Sequence, residues 1–114
     1  MLPQKHRISK KEFVGFFRGG KTIHSENMVF KFVLGSEENK KPARFSCVVS
    51  GKALKKAVER NTLKRRAYAV LNTVVKKIKP CLLGVFYFKK GAFMLEYKDL
   101  KKEMFEVLEK ARVM

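Results

Sequence analysis

Arg60, Asn61, Lys64, Arg65, Arg66 and Tyr68 fall within nine consecutive residues that contain no acid. Their side chains suit a polyanion. Guanidinium groups present planar forks of donors that match phosphate oxygens, Asn adds donors and an acceptor, and Lys adds a mobile point charge. Tyr68 sets an aromatic ring among them. A charge run on a helix is most often only a solvated face. This run is nearly single-signed, however, and like charges at i, i+4 destabilise a helix, so the cluster implies a polyanion that neutralises it.

The element that must carry these residues is a long amphipathic helix. From Ala57 to Lys79 there is no Pro or Gly, and Leu63, Ala67, Val70, Leu71, Val74 and Ile78 recur at three- and four-residue steps. Arg60, Lys64 and Tyr68 then stack along one row, with Asn61 and Arg65 beside it.

With the segment before that helix included, Ser50-Gly51-Lys52 and Ala57-Val58-Glu59-Arg60-Asn61-Thr62-Leu63-Lys64-Arg65, the chain resembles the protein subunit of bacterial ribonuclease P. That family usually reads Ser-Lys-Lys, then Arg-Asn-Arg-x-x-Lys-Arg and a further Arg. This chain departs at Gly51, Thr62 and Tyr68, with Arg66 as a candidate compensation. The resemblance extends back to Arg7-Ile8-Ser9-Lys10-Lys11-Glu12-Phe13 with Phe17 and Gly20, and forward to the closing helix.

The composition agrees with a nucleic-acid partner. The chain has 114 residues and a formal net charge of +17 with a pI near 10.2. That length suits one RNA-binding domain, 1–114, whose residues 1–8 read as a loose basic arm. The balance points to nucleic acid or an anionic membrane surface. No run approaches the ~18 apolar residues of a spanning helix, and the N-terminus lacks the apolar stretch of a signal peptide, so the expectation is a cytoplasmic protein without a membrane partner. Cys47 and Cys81 have no Cys-x-x-Cys spacing and read as buried, reduced thiols.

Around the long helix the remaining elements follow in order. Ser9 and Glu12 form a capping box, with Ile8 and Phe13 as its hydrophobic staple, opening a short helix whose apolar face is Phe13, Phe16 and Phe17 and which Gly19-Gly20 ends. Lys21 to Ile23 reads as a short edge strand, Met28 to Leu34 as a strand covered on much of both faces, Gly35 to Pro42 as a loop, and Ala43 to Ser50 as a further strand. Leu82 to Phe88 is another apolar strand, and Asp99 to Arg112 a final helix with Leu100, Met104, Val107, Leu108 and Ala111 on its inner face. The expected fold is α+β, an α/β sandwich of one mixed sheet of about four strands with three helices. The general rule makes the strand–helix–strand crossover right-handed. The resemblance implies a left-handed one.

A protein nuclease needs clustered carboxylates for Mg²⁺ or paired His for proton transfer. The ten acids are scattered, and His6 and His24 stand apart. The expectation is no catalytic residue and no metal ligand in the protein. The resemblance implies an accessory subunit of a ribonucleoprotein endoribonuclease. Its RNA, with Mg²⁺, hydrolyses precursor tRNA to remove the 5′ leader, and no protein partner is required. It implies RNA contacts at Arg60, Asn61, Lys64 and Arg65, to which Arg66 and Tyr68 are added from the same helix. It also implies a leader path, in a cleft between the first helix and the sheet, bordered by Phe13, Phe17 and Lys52. Aromatic faces stack bases with little sequence preference while Lys and Arg follow the phosphates. A second class remains open on composition: a ribosomal or other structural RNA-binding protein with no part in catalysis.

Overall fold

The computed structural model describes residues 6–8, 20–34 and 42–114. The expected capped helix, with Ser9, Glu12, Phe13, Phe16 and Phe17, and most of the loop at 35–42 lie outside the described residues. Four strands form one sheet: β1 (Lys21–His24), β2 (Met28–Leu34), β3 (Arg44–Val49) and β4 (Leu82–Phe88). Two α-helices lie among the described residues, α1 (Ala57–Val74) and α2 (Tyr97–Lys110). The strand order is β1-β2-β4-β3, with β3 parallel to β4 and the other neighbours antiparallel. The mixed sheet is therefore as expected. β3, α1 and β4 make the crossover unit.

Strand alternation decides which face is buried. Register sets Phe30 and Cys47 on either side of Phe86, and Met28 and Val49 on either side of Phe88. These side chains, with Phe32 and Phe45, form the floor of the core, and the Phe30 and Phe86 rings stack with centroids 4.4 Å apart. Gly84 is required beneath them, since a Cβ there would lie 2.6 Å from Phe30 Cε1. Leu63, Ala67, Val70, Leu71 and Val74 of α1 and Leu100, Met104, Val107 and Leu108 of α2 close the core from above. Burying side chains of this size is worth about 1.5–3 kcal/mol each.

Both helices end differently from the sequence expectation. The long helix was expected to reach Lys79, but α1 stops at Val74 and a 3₁₀ turn, Val75–Lys77, follows. Thr73, Val74 and Val75 are consecutive β-branched residues, whose stiff side chains favour helix less than straight-chain ones. Ile78 keeps its place in the buried stripe although its backbone is extended. α2 begins at Tyr97, two residues before the expected Asp99, and ends at Lys110 rather than Arg112. Arg112 takes φ 58°, its amide donates to Glu109 O, and Val113 donates to Leu108 O, which is the left-handed helix stop usually made with Gly.

The basic arm is not loose at its inner end. The Ile8 amide donates to Phe45 O at 3.1 Å, Arg7 bridges Phe45 in parallel fashion, and His6 Nδ1 lies 2.8 Å from Ala43 O. Residues 6–8 thus cover the outer edge of β3. An edge strand offers unpaired backbone groups, and this pairing removes several of them.

Cys47 and Cys81 are free and buried, and burial pushes the Cys47 thiol far up. Glu103 of α2 is a clamp. Its carboxylate accepts from Ser25 Oγ at 2.6 Å, from the Asn27 amide at 2.9 Å and from Asn27 Nδ2 at 2.8 Å, tying α2 to the β1–β2 turn.

Candidate nucleic-acid interface

Helix geometry, at about 100° per residue, distributes the basic cluster over three sides of α1. Leu63 and Ala67 point into the core. Asn61 and Arg65 stand opposite them and are exposed. Arg60, Lys64 and Tyr68 run along the flank toward β3, each half-buried. Arg66 lies on the other flank, its guanidinium 5.7 Å from the Phe93 ring centroid. The structure therefore brings Arg60, Asn61, Lys64, Arg65 and Tyr68 onto one continuous surface and separates Arg66 from it.

Several of these side chains also hold the protein together. Arg60 Nη1 donates to Leu54 O at 2.8 Å and to Lys55 O at 2.9 Å, pinning the segment that leads into α1. The Tyr68 hydroxyl accepts from the Cys47 amide at 3.1 Å on the outer edge of β3, and the Arg7 guanidinium lies 5.7 Å from its ring. Burial, chiefly, raises the Tyr68 hydroxyl above its usual range, and the nearby Cys47 thiol adds to it. Tyr68 is thus a strut between helix and sheet with one edge open to solvent. Lys64 and Arg65 carry less of the fold. Lys64 is the cation whose field acts on buried Cys47, and Arg65 makes one long contact, Nη2 to Thr62 Oγ1 at 3.5 Å.

Two positions that differ from the usual ribonuclease P pattern have simple local settings. Thr62 Oγ1 donates to Val58 O at 2.8 Å, a bond back along the helix. Gly51 is exposed, and the nearest atom to a Cβ built there is Arg60 Nη1 at 3.9 Å, an ordinary contact. No steric rule demands Gly at that position.

Lys52 is exposed beside a groove formed by the 52–56 segment, Glu59, Lys90, Phe93 and Met94. Phe13 and Phe17 lie outside the described residues, so of the three residues expected along the leader path only Lys52 has a described position. The sheet face away from α1 and α2 carries the half-buried Lys31, Arg44, Ser46 and Tyr87. Among the described residues no three His, Cys, Asp or Glu side chains gather as a metal cluster would. No helix among them is long and apolar enough to cross a membrane.

Comparison with known proteins decides what this basic helix belongs to. The family model described as Ribonuclease P matches residues 2–112. The chain belongs to the ribonuclease P protein family. The ribonuclease P protein component of Microcystis aeruginosa is 31% identical, covering 98% of this chain and 95% of that one. The ribonuclease P protein component of Synechococcus elongatus is 30% identical, covering 87% and 89%. Among solved structures, the RNase P protein of Staphylococcus aureus superposes with a TM-score of 0.78 at 21% identity, covering 95% of this chain and 96% of that one. That of Thermotoga maritima gives 0.77 at 22% identity, covering 91% and 96%. These structural neighbours share the fold of a ribonuclease P protein, the α+β sandwich of one mixed four-stranded sheet.

Sequence reasoning found the α1 surface because one-signed charge at helical spacing is visible in a string. It missed the struts made by Arg60 and Tyr68, whose partners at Leu54, Lys55 and Cys47 are set by a turn and by tertiary packing. It also missed Lys90, Phe93 and Met94, which adjoin Lys52 only in space. Their signal was the basic turn Lys89-Lys90-Gly91 followed closely by Phe93, Met94 and Tyr97.

Proposed function

We propose that the chain acts as the protein subunit of ribonuclease P, a ribonucleoprotein endoribonuclease that matures the 5′ end of tRNA, with Asn61, Lys64 and Arg65 as its principal contacts to the catalytic RNA. The observation that supports this reading best is a single-signed basic face on a helix whose opposite face is fixed in the core, in a chain of this family. Arg60 and Tyr68 contact RNA from the same surface while bracing it, and Arg66 contacts RNA from the other flank. The whole chain, 1–114, works as one RNA-binding domain in the cytoplasm.

The chemistry is the RNA's. Mg²⁺ acts at the RNA active site, supplying charge stabilisation and an activated water for phosphodiester hydrolysis. The protein contributes binding. Lys and Arg neutralise phosphates and release counterions, which drives binding at low salt and weakens it as salt rises. A subunit that also grips the 5′ leader binds substrate more tightly than product, because only the precursor has a leader. Phe13, Phe17 and Lys52 fill that role in this reading, in a cleft formed with a third, N-terminal helix, and the β3–α1–β4 crossover is left-handed as in the family.

The test is reconstitution. Added to a ribonuclease P RNA at low Mg²⁺, the protein should stimulate cleavage of precursor tRNA at the mature 5′ end. A protein preparation shown free of RNA that cut at that site, or a protein that left the RNA's activity unchanged, would refute the reading.

A further inference from the structure

The flank of α1 away from β3 holds a groove that no role described above uses as a whole. The groove has a volume of about 410 Å³, with Lys52, Lys55 and Lys56 on one side, Lys90, Phe93 and Met94 on the other, and Glu59 beside them. It continues past Phe93 and Met94 to Arg66 and Tyr97. Two large apolar side chains stand out of this surface, Met94 at 80% exposure and Tyr97 at 42%. Both line the same groove, where they form an apolar edge that a partner's flat surface can cover. Lysines and Arg66 outnumber the acids here, and Glu96 is already paired with Lys98 at 3.6 Å.

Flat or polarisable apolar surface edged with cations is the chemistry of unpaired nucleotides, whose bases stack while their phosphates follow the charge. A duplex, with its bases already stacked inside, would leave Met94 and Tyr97 unused. The groove is also continuous with the proposed RNA face. Lys55 and Lys56 lead directly into α1, and Arg60 bonds the carbonyl of Lys55, so a strand leaving the Lys64–Arg65 surface can cross the start of the helix into the groove. Lys56 caps α1 without a side-chain acceptor, so the first-turn amides have no side-chain cap and add their partial positive charge at that crossing.

From this we infer that the groove binds a short unpaired strand of the RNA subunit, with bases stacked on Met94 and Tyr97 and phosphates on Lys55, Lys56 and Lys90. This rests on the reading of the chain as a ribonuclease P subunit and extends its RNA surface around the helix.

Site-directed crosslinking tests it in the assembled complex. Met94→Cys takes an azidophenacyl label selectively, because Cys47 and Cys81 are buried. On irradiation with the RNA subunit and precursor tRNA, the label should attach to unpaired nucleotides of the RNA subunit. Attachment only to precursor tRNA, only to paired nucleotides or to neither RNA, while an Asn61→Cys label does mark the RNA subunit, overturns the groove and spares the proposed function. Failure of both labels overturns both. In a second measurement, M94A/Y97A should lose about tenfold in affinity for the RNA subunit with an unchanged melting curve and salt slope, since stacking releases no counterions. Unchanged affinity would also refute the proposal.

Discussion

α1 and α2 lie on the same sheet face, bury comparable apolar stripes and differ in the charges they show to water. α1 sets one acid, Glu59, against Arg60, Lys64, Arg65 and Arg66. α2 sets Asp99, Glu103, Glu106 and Glu109 against Lys98, Lys101, Lys102 and Lys110. A balanced helix surface contents itself with internal and solvent partners, and its most engaged charge, Glu103, is used to fix a turn. A one-signed surface is a cost to the isolated fold that an external polyanion removes. Two helices of one architecture thus differ in what their surfaces leave open to a partner.

The comparison breaks first, and most visibly, at Lys64 and Arg65. Both can be changed to Gln without touching the struts made by Arg60 and Tyr68. If each neutralises one phosphate, K64Q/R65Q should flatten the logarithmic salt slope of RNA binding by about 1.4–1.8 and weaken binding roughly ten- to hundredfold at low salt. The melting curve should stay in place. The matching change on α2, K98Q/K101Q, should leave the slope where it was. Equal slopes for the two pairs would mean that the protein's total charge matters and its placement does not. Arg60 is a poorer probe, because Arg60→Gln also frees the carbonyls of Leu54 and Lys55.

α2 should fail in the opposite sense. Glu103→Gln replaces a carboxylate that accepts three hydrogen bonds by a neutral amide, a loss on the order of 1–2 kcal/mol. In a domain of this size that lowers the melting point by several degrees. RNA affinity, measured well below the new melting point, should hardly move. Partial burial opposes ionisation of Glu103, but the bonds from Ser25 and Asn27 and the nearby Lys89 outweigh it and hold the carboxyl below its usual value near 4.5. The clamp's contribution is therefore fully present above that value and is lost as pH falls through the lower, folded-state one. The mutant's stability deficit should shrink in acid below pH 4.5. A deficit that stayed constant down to pH 3 would show that the charge of Glu103 plays no part.

The difference between the helices was half legible in the sequence. One-signed charge and apolar periodicity revealed α1 and its outward side chains, and β2 and β4 were bounded correctly because their apolar runs end at turns. The clamp was not legible. Glu103 differs in no local way from Glu106 or Glu109, and only the position of Ser25 and Asn27 across the fold distinguishes it. The same holds for Tyr68, whose place in a basic row suggested an RNA contact while its hydroxyl satisfies an edge amide of β3. The early end of α1 lay closer to the surface of the text. Three β-branched residues in succession weaken a helix, and just beyond them the Lys79 amide donates to Val113 O at 2.8 Å, a contact 34 positions away in sequence that no local pattern shows.

The smallest expected effect sharpens the comparison by adding charge. In the family pattern a Lys usually follows the strand-end Ser, and here Gly51 occupies that place. The backbone at Gly51 does not lie in the left-handed region, and a Cβ would meet nothing closer than Arg60 Nη1 at 3.9 Å. Gly51→Lys should therefore fold without strain, and the loss of Gly freedom in the unfolded chain should stabilise it by about 0.4–1 kcal/mol, less any repulsion from Arg60. If the segment before α1 belongs to the RNA surface, the new cation adds one phosphate contact. The salt slope should steepen by about 0.7–0.9, and affinity should rise up to tenfold at low salt. The same Lys placed at the exposed Glu106 of α2 removes an acid and adds a base, a larger change in net charge than Gly51→Lys makes. If total charge governed binding, Glu106→Lys would strengthen it more. If the one-signed surface of α1 governs it, Gly51→Lys should be the stronger binder despite its smaller charge, and the reverse order would remove the 50–56 segment from the RNA interface.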